Sequence, residues 1–129
     1  MLSLLVEYMV LERNKIEDME YYIETDTQST ITTEKINGFL LGIFLVPFTD
    51  KLYKKYNISL SFNNYPSIFL LDEQNVGYVP LHIPIKVDYW NVNKSKYEAP
   101  GFWALNDKLR ISVEGKGIRL KVILRVEVR

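Results

Sequence analysis

The chain contains no cysteine, a single histidine and, in 129 residues, two alanines, Ala99 and Ala104. The absence of cysteine excludes disulfides, thiolate metal sites and cysteine nucleophiles, and it leaves the compartment open because oxidised and reduced environments both tolerate such chains. With one imidazole, His82, a multi-histidine metal site or a second imidazole base is impossible within one chain. Between Leu81 and Ile83 that histidine reads as a surface or satisfied residue. The G-x-S-x-G elbow, the GxxxxGK(S/T) phosphate loop and the H-E-x-x-H zinc helix do not occur. Asp72-Glu73, Asp88 and Glu98 are candidates for paired carboxylates, but adjacent acids in a turn read as solvated groups rather than a catalytic pair. The expectation is a protein that is not an enzyme and uses no cofactor or metal.

Long hydrophobic runs are also missing. The most apolar stretch, Ile36 to Phe48, is bounded by Glu34-Lys35 and Asp50-Lys51 and falls short of the about 20 residues a helical membrane span requires. It reads as a buried strand or short core helix, with Gly38 and Gly42 marking a bulge or a close backbone approach. The opening MLSLLVEYMVLERNK lacks a basic leader, holds Glu7 inside its apolar run and ends without a small-residue cleavage site. No secretion signal is expected, and the protein reads as cytoplasmic or a virion component. The sequons at Asn57-Ile58-Ser59 and Asn93-Lys94-Ser95 then have no glycosylating compartment.

What remains is a chain of ordinary globular composition, 47% apolar and 25% charged, which argues against disorder. Its length suits a single domain, 1–129, able to fold without staples. Period-two alternation recurs throughout: Leu2 to Val10 favours a strand to about Leu11, although Leu5, Met9, Ile16, Met19 and Ile23 would also suit a helical stripe, and after a polar break at Arg13-Asn14-Lys15 comes Tyr21 to Thr25 with the Thr-rich stretch to Thr33, a strand or extended arm. It returns in Ile58 to Phe62, in Ser67 to Leu71 before the Asp72 to Asn75 stop, and in Tyr78 to Asn93. In Tyr78 to Asn93, Pro80 and Pro84 occupy the parity opposite to Leu81, Ile83 and Ile85, and proline cannot donate to a ladder, so this strand belongs at a sheet edge or a bulge. Lys51 to Tyr56 reads as one basic helical turn. Roughly eight strands with turn signals between them predict a mainly β fold, a single-domain antiparallel sandwich or barrel with at most one or two short helices. A jelly roll is one such solution.

The richest stretch is the last, Lys108 to Arg129. Leu109, Ile111 and Val113 alternate with polar partners, Gly115-Lys116-Gly117 intervenes, and Ile118, Leu120, Val122, Leu124, Val126 and Val128 resume the alternation. That pattern predicts a β-hairpin with one buried face acting as the spine of the core. Its wet face carries Lys108, Arg110, Arg119, Lys121, Arg125 and Arg129 against Glu114 and Glu127, a basic stripe suited to phosphates or an acidic protein surface. Ile123 interrupts the stripe, which suggests that part of it is covered. Trp90 and Trp103, with Tyr89, Tyr97 and Phe102, are candidates for a stacking platform, or else fill the end of the sandwich.

Net charge is zero but unevenly spread: the first 36 residues carry eight acids and three bases, net −5, and Gly101 to Arg129 three acids and seven bases, net +4. Either the two segments lie side by side and neutralise each other, or they pair between copies. The scarcity of alanine against abundant Ile, Lys, Tyr and Asn suits an AT-rich genome, and in texture the chain is similar to small β-proteins of viruses and mobile elements. These features together lead to the expectation of a non-enzymatic structural or assembly protein making homo-oligomeric contacts, with itself or other structural proteins as partners. A nucleic-acid-binding module using the basic face is the alternative, against which the zero net charge weighs.

Overall fold

The computed structural model describes residues 15–48, 54–90 and 96–129, with 86–90 and 96–100 described by their backbone. The expected strand from Leu2, like residues 49–53 and 91–95, lies outside the described residues, while Lys15 of the expected break opens β1 and Ile16, Met19 and Ile23 lie on that strand rather than on a helix. Eleven strands occur among those described: β1 Lys15–Glu24, β2 Gln28–Thr32, β3 Ile36–Pro47, β4 Lys55–Phe62, β5 Phe69–Gly77, β6 Leu81–Pro84, β7 Lys86–Trp90, β8 Lys96–Pro100, β9 Trp103–Asp107, β10 Leu109–Glu114 and β11 Arg119–Val128. The sequence count of about eight was low, mainly because long alternating stretches break at sheet changes. The described part of the Lys51 to Tyr56 stretch is strand rather than a helical turn, since Lys55 and Tyr56 open β4. No described helix is long and apolar enough to cross a membrane.

Two antiparallel sheets pack face to face as a β-sandwich. The first, sheet A, has the order β1-β11-β3-β6, with β9 pairing the remaining half of the β3 edge; the second, sheet B, has the order β2-β10-β4-β5. The two orders correspond strand for strand. β1 leads into β2, β3 into β4, β5 into β6 and β10 into β11, so four long ribbons each pass from one sheet into the other. β7 and β8 form a separate two-stranded sheet.

This arrangement corrects the terminal hairpin. β10 pairs with β2 and β4, whereas β11 pairs with β1 and β3, so the two strands never share a ladder. Gly115-Lys116-Gly117 is an arch between sheets. Its backbone donors reach the neighbouring bend, Gly115 N–H to Thr27 O at 2.9 Å and Gly117 N–H to Asp26 O at 3.2 Å. Gly117 supplies the left-handed φ of +61°. An arch and a hairpin leave the alternation unchanged, so the buried parity holds: Leu109, Ile111, Val113, Ile118, Leu120, Val122, Leu124 and Val126 are all buried. They face one another across the core instead of side by side, and each contributes roughly 1.5–3 kcal/mol if fully buried.

β3 is the central strand of sheet A and holds Ile36, Leu40, Ile43 and Leu45 in the core. The register with β11 shifts between Arg125 and Val126, opposite Gly42 and Leu40, leaving Leu41 as the extra residue of a bulge. Gly38, at φ +156°, lies where a Cβ would run into the Glu127 carbonyl oxygen. Both glycines thus answer to a bulge and a close approach. The single strand expected from Tyr78 to Asn93 divides at buried Ile85 into β6 and β7. β6 is an edge strand, as its prolines require. β5 runs on through Asp72 to Asn75, a segment the sequence marks as a stop.

Candidate interaction face

Sheet A turns one side of each strand inward, and the residues of opposite parity form its outer face. From β1 come Asp18, Glu20, Tyr22 and Glu24; from β11, Arg119, Lys121, Ile123 and Arg125. The register sets them in pairs: Asp18 beside Arg125, Glu20 beside Ile123, Tyr22 beside Lys121 and Glu24 beside Arg119. Arg125 grips Asp18 with two hydrogen bonds, Nε to Oδ1 at 2.9 Å and Nη2 to Oδ2 at 3.0 Å. Lys121 Nζ lies 3.7 Å from Glu20 Oε1, and Arg119 Nε lies 3.8 Å from Glu24 Oε1. The acidic and basic segments therefore neutralise each other within one chain. The hydrogen bond to Arg125 and the guanidinium charge hold the Asp18 carboxyl below its usual range. The reciprocal effect raises Arg125.

The basic stripe is accordingly divided. Arg119, Lys121 and Arg125 lie on the outside of sheet A, whereas Arg110 points outward from sheet B, where its Nε donates to Asn63 Oδ1 at 3.0 Å. Lys108 is exposed between β9 and β10, its backbone N–H held by Asp107 Oδ1 at 2.7 Å. A continuous basic face across two neighbouring strands does not form, because those strands belong to opposite sheets. Trp103 is partly buried on the core side of β9, edge-on to Phe62 at 6.1 Å, with its indole N–H lacking a partner among the described residues. Trp90 is the last residue of β7. Phe102 is exposed and packs edge-to-face on Phe39 at 4.9 Å.

Sequence reasoning missed the aromatic half of the face. Phe39 and Phe44 project outward from β3, and the Arg129 and Arg125 guanidinium groups sit over their rings at 4.3 and 4.8 Å. The Phe44 ring stacks on His82 of β6 with centroids 4.4 Å apart and planes inclined by 13°. The signal lay in the parity change at Leu41, which sends Phe44 outward in a run that looks uniformly buried.

The outer face of sheet B is different in kind. Thr30, Ser112, Ser59 and Asp72 run across it, and Thr30 Oγ1 and Ser112 Oγ share a hydrogen bond at 2.5 Å. A shallow depression there is lined by Gln28, Asn57, Asp72, Gln74 and Glu114. Among the described residues no group of three or more His, Cys, Asp or Glu side chains is placed to hold a metal ion. No protein-family model, curated protein or solved structure matches this chain.

Proposed function

We propose that the protein is a non-enzymatic structural or assembly component that associates with further copies of itself through the outer face of sheet A. One observation carries this reading: the two outer faces of the sandwich are unlike. Sheet B presents mainly hydroxyls, amides and isolated charges, with Phe69 exposed on its β5 edge. Sheet A presents half-buried Ile123, Phe44, Val46 and Phe39 as a contiguous apolar strip between charged side chains that already face opposite charges across the β1–β11 ladder. A virion or the cytoplasm is the setting we propose for such a component, the former supported by the compositional texture.

Nucleic-acid binding ranks below this. Cations that already hold carboxylate partners neutralise few phosphates, and the stripe that would follow the backbone is split between opposite faces. Size-exclusion chromatography with light scattering tests the main reading. A mass of at least twice 15.2 kDa at high micromolar concentration, little changed by salt, is expected. A strictly monomeric species across that range would overturn it.

A further inference from the structure

One transverse row of sheet A is its own chemical complement when reversed. Glu20 lies beside Ile123, Ile123 beside Phe44, and Phe44 beside His82, one residue from each of β1, β11, β3 and β6. All four side chains are on the outer face; Glu20 and His82 are exposed, Ile123 and Phe44 half-buried. The order is carboxylate, apolar, apolar, imidazole. At about 4.8 Å between strands the row spans roughly 14 Å.

Resting on the self-association reading, we infer that the partner is a second copy docked face to face about a two-fold axis lying in the interface, parallel to the strands and between β11 and β3. That rotation reverses the row onto itself. Glu20 meets the partner's His82, Ile123 meets the partner's Phe44, and both contacts recur by symmetry, as an isologous interface demands. In the row one step along, Asp18, Arg125, Gly42 and Pro84 are neighbours, so Arg125 comes to the partner's Gly42, over which the partner's His82 ring leans. An axis running across the strands fails, since it sets Glu20 on the partner's Glu20 and β1 carboxylates on β1 carboxylates.

Chemistry and size agree with this geometry. The apolar pair occupies the centre and the ionisable pair the rim, the distribution found in specific interfaces. Around Glu20 stand Lys121, 3.7 Å away, and the Tyr22 hydroxyl, which donates to Glu20 Oε2 at 3.4 Å; around His82 stand the Phe44 ring and, over that ring, Arg125. Three strands of about ten residues, with β6 and β9 sharing the fourth position, give a face of roughly 600 Å², close to the about 800 Å² that each partner buries in a standard interface. Aligned sheets pack with their strands within about 30° of one another, consistent with an axis parallel to the strands.

Charge exchange tests the row. Association is measured by dilution and light scattering for the wild type, His82→Glu, Glu20→Lys and the double variant, each first shown to melt like the wild type. His82→Glu sets carboxylate on carboxylate and weakens association about tenfold or more, because like charges opposed in an interface are strongly unfavourable. The double variant restores it, and an equimolar mixture of Glu20→Lys with His82→Glu associates more tightly than His82→Glu alone. A dimer indifferent to His82→Glu, or a double variant no tighter than the singles, overturns this geometry while leaving self-association intact. A monomeric wild type overturns both.

Discussion

Thr25 and Ile118 hold each other at the bend where two ribbons pass between the sheets. The Thr25 backbone N–H donates to Ile118 O at 2.9 Å, and the Ile118 N–H donates to Thr25 Oγ1, also at 2.9 Å. The same hydroxyl donates to Gly115 O at 2.6 Å. A bend in a ladder interrupts its backbone pairing, and one buried side chain here supplies both the acceptor and the donor that the interruption leaves unmet.

Thr25→Val keeps the shape and removes that hydroxyl, orphaning a buried N–H and a carbonyl. The cost is about 1–3 kcal/mol, the penalty for buried polar groups without partners. Thr25→Ser retains both bonds and loses less. Urea denaturation of the three proteins checks the order; a Thr25→Val variant as stable as the serine variant would show that the bend does not depend on the hydroxyl.

Tyr56 makes the opposite case. Its ring is buried in the core, and its hydroxyl has no hydrogen-bond partner among the described residues. Tyr56→Phe removes an unsatisfied buried group and raises stability by about 1 kcal/mol. Burial, reinforced by Tyr78, also pushes the Tyr56 phenol well above its ordinary range. Because the folded-state value is raised, the stability linked to it is complete below about pH 10 and drains away as pH rises towards the folded value. The phenylalanine variant lacks that loss, so its advantage over the wild type widens in alkaline solution. Melts at neutral pH and near pH 11 measure both effects. Tyr21, raised by burial and then by its hydrogen bond to Glu34, leaves some alkaline slope in either protein.

The alternation of Leu120, Val122 and Leu124 made the core legible in the sequence, since only one parity places aliphatic side chains together. The proline positions likewise identified β6 as an edge. What alternation does not encode is which strand lies beside which. Gly115-Lys116-Gly117 serves a hairpin or an arch equally well, and the choice follows from long-range pairing of β10 with β4 and of β11 with β3. The opposite charges of the amino- and carboxy-terminal segments allowed local neutralisation, but the Asp18 to Arg125 register joins residues 107 positions apart. Phe44 escaped notice because the bulge at Leu41 exchanges the parity of β3 partway along. His82, alone in the sequence, acquires a neighbourhood through the pairing of β6 with β3.

Two adjacent residues of β11 test the sheet's orientation and every surface assignment that depends on it. Val122 is 1% exposed and lies between Tyr21 and Leu45 in the ladders of sheet A. Val122→Asp buries a carboxylate without a partner and costs on the order of 4 kcal/mol or more, a large part of the about 5–15 kcal/mol that stabilises a domain. The buried carboxyl must rise in pKa to become neutral, so part of the loss returns as pH falls towards about 4, where the unfolded chain also binds the proton. Lys121 faces outward with a side chain 27% exposed, 3.7 Å from Glu20. Lys121→Asp removes that ion pair and sets two carboxylates side by side, at a cost of about 1 kcal/mol or less. Thermal melts of the two variants decide the matter. A collapsed Lys121→Asp beside a native-like Val122→Asp would place the core on the other side of sheet A, since a one-residue slip in a strand sends every side chain to the opposite face.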